Sequence, residues 1–231
     1  MILYAIPTPL GGAPHDALPV SALNIVKSLR DFAVENAKSA RAFLSSVGMP
    51  VSIRDLQISG IDQDTSGLLK PLREGRSLGL ISEAGCPAIA DPGAALVEAA
   101  HREGFRVAPL VGPSAITLAL MASGLEGQRF AFCGYLPREP GERARRIREL
   151  EARSRKEIET EIFIETPYRS DVLLAALAES CHPKTRVCVA ADLTLPGETI
   201  TTRSVAQWRR AGASVGRRPA VFLLLADCAS G

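Results

Sequence analysis

Aromatic side chains are scarce in this 231-residue chain: they make up 5% of it, with one Trp, three Tyr and seven Phe. A sequence this poor in rings has little with which to stack successive bases or to line a wide macrocycle pocket. Histidine is rarer than most residue types, and His15, His101 and His182 show no metal-ligand spacing. The five cysteines (Cys86, Cys133, Cys181, Cys188 and Cys228) are odd in number and never form CxxC. That pattern argues against a disulfide framework and against zinc, and reads as buried thiols in a reducing compartment. No excess of one charge exists either, since 27 basic and 25 acidic residues leave a net +2. A global field drawing in nucleic acid is thereby excluded, and only local clusters can carry such a role. No apolar run approaches the length of a membrane span, and the first residues lack the basic and apolar regions of a signal peptide. A soluble cytoplasmic protein is the expectation. Internal repeats and low-complexity segments are absent. Also absent are a GxGxxG after the first strand and a GxxxxGK[ST], which disfavours ordinary dinucleotide and nucleoside triphosphate sites.

What is present is an alternation of strand and helix signals. ILYAIPT reads as a first strand closed by a Pro- and Gly-rich loop. Residues 21–47 carry helical spacing, interrupted at 31–35 by the alternating FAVEN, and SIRDLQIS reads as a strand. SGLLKPLREG follows as a helix, SLGLIS as a strand, GAALVEAAHREG as a helix and FRVAPLVG as a strand. PSAITLALMASG is a helix that starts at a Pro and ends at a Gly. Continuous apolar strands alternating with helices predict a parallel, doubly wound sheet. The second half reads as further α/β structure, from RFAFCGYLP through an Arg-rich helix over 139–159 to a last strand, AVFLLLAD. We therefore expect two α/β domains, 1–115 and 116–231.

The oddest stretch is SEAGCPAIADPG, residues 82–93. A plain strand-to-helix connection needs one Gly or Asp, whereas this one holds two glycines, two prolines, two acids and a cysteine. Together with PTPLGG and VGPSA it lies where the carboxyl ends of strands are expected, the usual place for a ligand in an open α/β sheet. Glycine there lets backbone approach a ligand closely.

The segments LGLISEAGCPAIADPGAALVEAA, RVAPLVGPSAITLALMASGL, FAFCGYLP, FIETPYR and GETI, in that order, resemble the tetrapyrrole-methylase superfamily of S-adenosylmethionine-dependent methyltransferases. Within it they are most similar to the ribosomal RNA small subunit methyltransferase I branch, which methylates a cytidine 2′-OH of 16S rRNA. The resemblance implies two α/β domains with the cofactor in the cleft between them, a homodimer, no metal, and ribosomal RNA or the small subunit as partner. By position it implies that Ala84, Gly85, Cys86, Ile89 and Ala90 hold the methionine and ribose parts of S-adenosylmethionine. Ser114 and Ala115 touch the same molecule, and Pro7 lines the floor beside the methyl group. Glu165, Thr166, Tyr168, Ala190 and Ala191 flank the adenine, with Pro219 and Ala220 closing the pocket.

The chain also departs from that branch. VENAKSARAFL keeps only Glu35 and Asn36 of an acidic-basic run, although Arg41 could reach a similar place. Ala191 to Leu195 loses two cationic positions, and Arg218, Pro219 and Ala220 stand closer to the tetrapyrrole methylases proper. Two other readings therefore stand beside RNA methylation. One is a small-molecule methyltransferase acting on a tetrapyrrole-like compound; the other is a cofactor-binding, non-catalytic ribosome-associated factor.

A ribose hydroxyl is a poor nucleophile and benefits from a base within hydrogen-bond reach. Glu83, in the cofactor loop, is the first candidate, followed by Glu35 and then Glu165. Cys86, with no His near it in sequence, reads as small-residue packing rather than a nucleophile. The stretch REPGERARRIRELEARSRK, with eight basic and four acidic side chains, is either a phosphate-tracking helix or a solvated one. In the second case Glu142–Arg146 and Glu149–Arg153 would pair at i,i+4.

Overall fold

The computed structural model describes residues 1–62, 64–212 and 214–227. Of the five cysteines, Cys228 lies outside the described residues. The chain divides into two compact units, Met1–Ser114 and Ala115–Gly231.

In the first unit β1 (Ile2–Ile6), β2 (Asp31–Val34), β3 (Gln57–Gly60), β4 (Leu78–Ile81) and β5 (Arg106–Pro109) form one sheet. Its order is β3-β2-β4-β1-β5, and every neighbouring pair is parallel. Both faces are covered, which is why its central strands are apolar on both sides. Ile6, Phe32, Val34 and Ile81 pack on one face, against α2 (Val20–Ser28) and α3 (Ala37–Val47). Leu3, Ala33, Leu78 and Leu80 face the other way, against α4 (Thr65–Leu68), α5 (Lys70–Arg73) and α6 (Ala94–Arg102). Period-two alternation of Cβ directions produces that division. Gly79 sits mid-strand because a Cβ there would come within 2.7 Å of both Ile6 and Phe32. A one-turn helix, α1 (Pro14–Ala17), precedes α2.

Two segments differ from their sequence reading. SGLLKPLREG is not one helix but the pair α4 and α5, broken at Leu69, because Pro71 has no N–H to continue the ladder. The first half of SIRDLQIS is a 3-10 turn, Ile53–Asp55, whose Arg54 N–H donates to the Ser52 hydroxyl.

The second unit opens with α7 (Ala115–Ser123). Its sheet contains β6 (Phe130–Tyr135), β7 (Thr160–Glu165), β8 (Arg186–Ala191), β9 (Thr199–Ser204) and β10 (Ala220–Leu225). The order is β6-β7-β10-β8-β9, parallel only between β6 and β7. Helices α8 (Pro140–Glu157), α9 (Ser170–Ser180) and α10 (Val205–Ala211) complete the unit. Phe163 and Phe222 stack at its centre, with ring centroids 6.1 Å apart. Along α8 ion pairs form at i,i+3 and i,i+4, but not the Glu142–Arg146 and Glu149–Arg153 pairs that the spacing suggested. Glu149 is approached by Arg145 and Arg146, and Arg153 turns off the helix to Glu159 and Glu161. Glu161 lies fully buried on β7, so its desolvated charge holds Arg153 more strongly than an exposed helix neighbour could.

Candidate active site

Strands β1 and β4 are neighbours, yet the next strand after β1 lies beyond β4, and the next after β4 lies beyond β1. Their outgoing loops therefore leave the sheet in opposite directions, and such a switch point opens a crevice at the carboxyl ends of the strands. Here the two loops are tied together. Thr8 N–H donates to Gly85 O at 2.9 Å, and Gly85 N–H returns a bond to Thr8 O at 3.1 Å. The Thr8 hydroxyl reaches Ser82 O at 3.4 Å. Gly85 has φ of +80°, and a Cβ there would touch Leu10 at 3.4 Å. Ala88 and Ala90 also take left-handed φ, 64° each, without being glycine. Such positions cost about 1–3 kcal/mol apiece and cluster where a loop is shaped for a ligand. Ile89 between them is 51% exposed. The loop thus presents backbone and one apolar side chain, with Pro7 buried behind it.

Cys86 donates its thiol to Pro113 O at 3.4 Å, tying this loop to the one after β5. Burial, with the nearby Asp91 charge, pushes the Cys86 thiol up, so it stays protonated and is no nucleophile. Ser114 follows at the end of this unit, and Ala115 opens α7 of the next.

The adjacency of β2 and β4 brings the two leading acids together. Glu35 N–H donates to Ile81 O at 3.1 Å. Its carboxylate in turn accepts Glu83 N–H at 3.0 Å. Glu83 accepts from the Ser39 hydroxyl at 3.2 Å, and Ser39 is fixed in the first turn of α3, where Asn36 caps the helix. Asp91 joins them. Burial, then the charges of Glu35 and Glu83, push its carboxyl up, opposed by the Ser82 hydroxyl. That hydroxyl is buried without a hydrogen-bond partner of ordinary geometry. Among the described residues no cation pairs with any of these three acids. Sequence reasoning singled out Glu83 and Glu35 but passed over Asp91, Ser39 and Thr8. Asp91 and Thr8 stand inside the very loops that were noticed, whereas nothing local marks Ser39.

In the second unit most of the residues named from the resemblance gather at one end of the three central strands, β7, β10 and β8. Ala220 pairs with Glu165 on one side and Ala191 on the other, and Ala190 is next along β8. Pro219 O accepts the Asp192 N–H at 3.1 Å. Asp192 is left-handed, φ 53°, and lies 3.6 Å from Arg218. Tyr168 is 78% exposed beneath the Arg217 guanidinium, 5.5 Å from its ring centroid. Glu165 is otherwise engaged: it accepts Thr166 N–H at 2.7 Å and faces Arg169 at 2.8 Å. A buried, paired carboxylate suits holding the turn rather than moving a proton.

A sequence profile for Tetrapyrrole (Corrin/Porphyrin) Methylases matches residues 3–208. The chain belongs to this family. Its similarity extends to proteins named ribosomal RNA small subunit methyltransferase I. The one from Escherichia coli O157:H7 is 34% identical over 202 residues, covering 86% of this chain and 67% of that protein. That from Vibrio cholerae is 33% identical over 206 residues, covering 89% and 69%. Among solved structures, diphthine synthase superposes with a TM-score of 0.65 at 15% identity, covering 97% of this chain and 89% of that one. Uroporphyrin-III-C-methyltransferase from Thermus thermophilus gives 0.58 at 19%, covering 97% and 94%. These two establish the shared fold. As a family member the chain is a methyltransferase. Among the described residues no group of His, Cys, Asp and Glu is placed to hold a metal ion, and no helix is long and apolar enough to cross a membrane.

Proposed function

We propose that this methyltransferase uses S-adenosylmethionine and transfers methyl to a ribose 2′-OH of ribosomal RNA, as a cytoplasmic homodimer. The observation that carries the cofactor reading is the cradle at residues 82–93. Three left-handed backbone positions, Gly85, Ala88 and Ala90, are clamped by the Thr8–Gly85 pair, and a Cβ at Gly85 would press on Leu10. S-adenosylmethionine supplies an electrophilic methyl carried on a sulfonium. The residues for holding it are Ala84, Gly85, Cys86, Ile89 and Ala90, with Pro7 and Ser114 from the neighbouring loops. Ala115, Thr166, Tyr168, Ala190, Ala191, Pro219, Ala220 and the backbone of Glu165 belong to the same assignment on the second unit.

For the acceptor, the relatives named as rRNA methyltransferases, 34% and 33% identical, support RNA. In this reading Glu83 is exposed for substrate and takes the proton leaving the 2′-OH, while Glu35 fixes the Glu83 backbone and Ser39 its carboxylate. The rest of the task is alignment, which a preformed loop serves by lowering the entropy cost of reaching an in-line geometry.

Calorimetric titration with S-adenosylmethionine and S-adenosylhomocysteine tests the cofactor. We expect micromolar binding of both and its loss in Gly85→Val, whose side chain meets a φ of +80°. No binding of either by the wild-type protein would remove the reading. Methyl transfer to small ribosomal subunits, located by mapping the modified ribose, then tests the acceptor.

A further inference from the structure

At the edge of the second sheet remote from Ala190 and Ala191, β8 begins and β9 ends, with Arg186 paired to Ser204. A groove of about 440 Å³ opens there, lined by Lys184, Arg186, Thr202, Arg203, Ser204 and Gln207 among others. A second, of about 290 Å³, shares Arg203 and Gln207 with it and adds Arg210. No carboxylate lines either one. Other arginines of this unit, Arg129, Arg153, Arg169 and Arg218, each face an acid, but among the described residues Arg186, Arg203 and Arg210 have no ion-pair partner. Lys184 has only a loose pairing, 3.9 Å from Asp227.

One of these cations is held in place. The Arg203 guanidinium lies over the Trp208 ring, 5.1 Å from its centroid. Trp208 is itself anchored by its indole N–H donating to Val187 O at 2.9 Å. Stacking on an aromatic face orients a guanidinium without neutralising it. Unpaired positive charge in a concave place concentrates anions.

We infer that this groove binds the phosphodiester backbone of the RNA substrate, away from the methylated nucleotide. The inference rests on the RNA reading above. The cations come from three elements, the start of β8, the end of β9 and α10. Charge is thus spread along the groove, which suits successive phosphates better than one small anion. No aromatic side chain lines either groove, and the nearby Trp208 is buried and covered by Arg203, so contacts here position the strand without reading bases. Arg186 and Ala191 lie five steps apart along β8, roughly 17 Å at the usual rise per residue.

The test is fluorescence anisotropy of the full chain with a short fluorescein-labelled RNA hairpin carrying a single-stranded loop, from about 50 to 200 mM salt. Both Arg186 and Arg210 are exposed, so their replacement disturbs no packing. In Arg186→Gln with Arg210→Gln we expect about tenfold weaker binding and a salt slope shallower by about 1.4, or about 0.7 per lost phosphate contact. The corresponding double Lys variant restores the slope, and S-adenosylmethionine titrates all three proteins alike. Wild-type affinity and slope in the Gln variant would overturn the groove while leaving RNA as acceptor. Failure of the wild-type chain to bind the hairpin at all would overturn both.

Discussion

Acidic side chains are treated in opposite ways in the interior of the two units and at the carboxyl ends of β2 and β4. In the interior, among the described residues, each buried carboxylate is matched: Asp31 by Arg76 in the first unit and, in the second, Glu161 by Arg153, Glu165 by Arg169, and Glu151 by His182 N–H and the Thr185 hydroxyl. At the strand ends Glu35, Glu83 and Asp91 stand together with hydroxyls and backbone N–H groups but, among the described residues, no cation. Matched charges hold a fold together. Unmatched ones of like sign work against it, and they persist where a proton has to move. The two groups differ in burial as well, since Glu161 is fully buried and Glu83 is exposed.

Substitutions can break that contrast. The largest effect is expected at Glu83: Glu83→Gln should lower methyl-transfer turnover by about 10²–10⁴-fold, with Glu35→Gln lowering it less. Calorimetry should show cofactor affinity kept in both. Unchanged turnover in both variants would show that the unmatched acids are idle. Next comes Arg153→Met, which strands the Glu161 charge on β7 and should cost about 3 kcal/mol in urea unfolding. A cost near zero would mean that the matching is decorative.

The smallest effect is at Asp91. Its carboxyl is raised, so the folded state holds that proton more tightly than the unfolded chain does. The stability linked to it is full below the ordinary carboxylate value and is lost as the pH rises through the folded one. Asp91→Asn should therefore melt slightly above wild type at pH 7, with the difference vanishing as the pH falls through the carboxylate range. A variant that melts below wild type at neutral pH would show Asp91 to be matched after all.

Much of this was legible in the sequence because it is local. The density of Gly and Pro in SEAGCPAIADPG announced a shaped loop, and the alternation in FAVEN located β2 inside a stretch that otherwise reads as helix. The acid cluster was legible only in its members. Glu35 meets Glu83 because β2 lies beside β4, a fact of strand order that no periodicity encodes. Ser39 gave no signal for the same reason. Along the Arg-rich helix i,i+4 pairing holds for Arg145–Glu149 and Glu151–Arg155, but the expected Glu149–Arg153 pair is lost because spacing along a helix is blind to a buried acid on a neighbouring strand. The split of SGLLKPLREG, by contrast, was present in Pro71 and was underweighted.

The pair of hydrogen bonds between Thr8 and Gly85 also bears on how the molecule reaches its native state. They join points far apart along the chain, so closing that loop by themselves would cost more entropy than two bonds return. They can persist only once β1 and β4 have aligned from Leu3–Leu78 to Ile6–Ile81. The cradle is consequently a late product of folding, and contacts formed late govern chiefly how fast a protein comes apart. A ligand seated there would act as a latch on the unfolding rate and leave the folding rate nearly untouched.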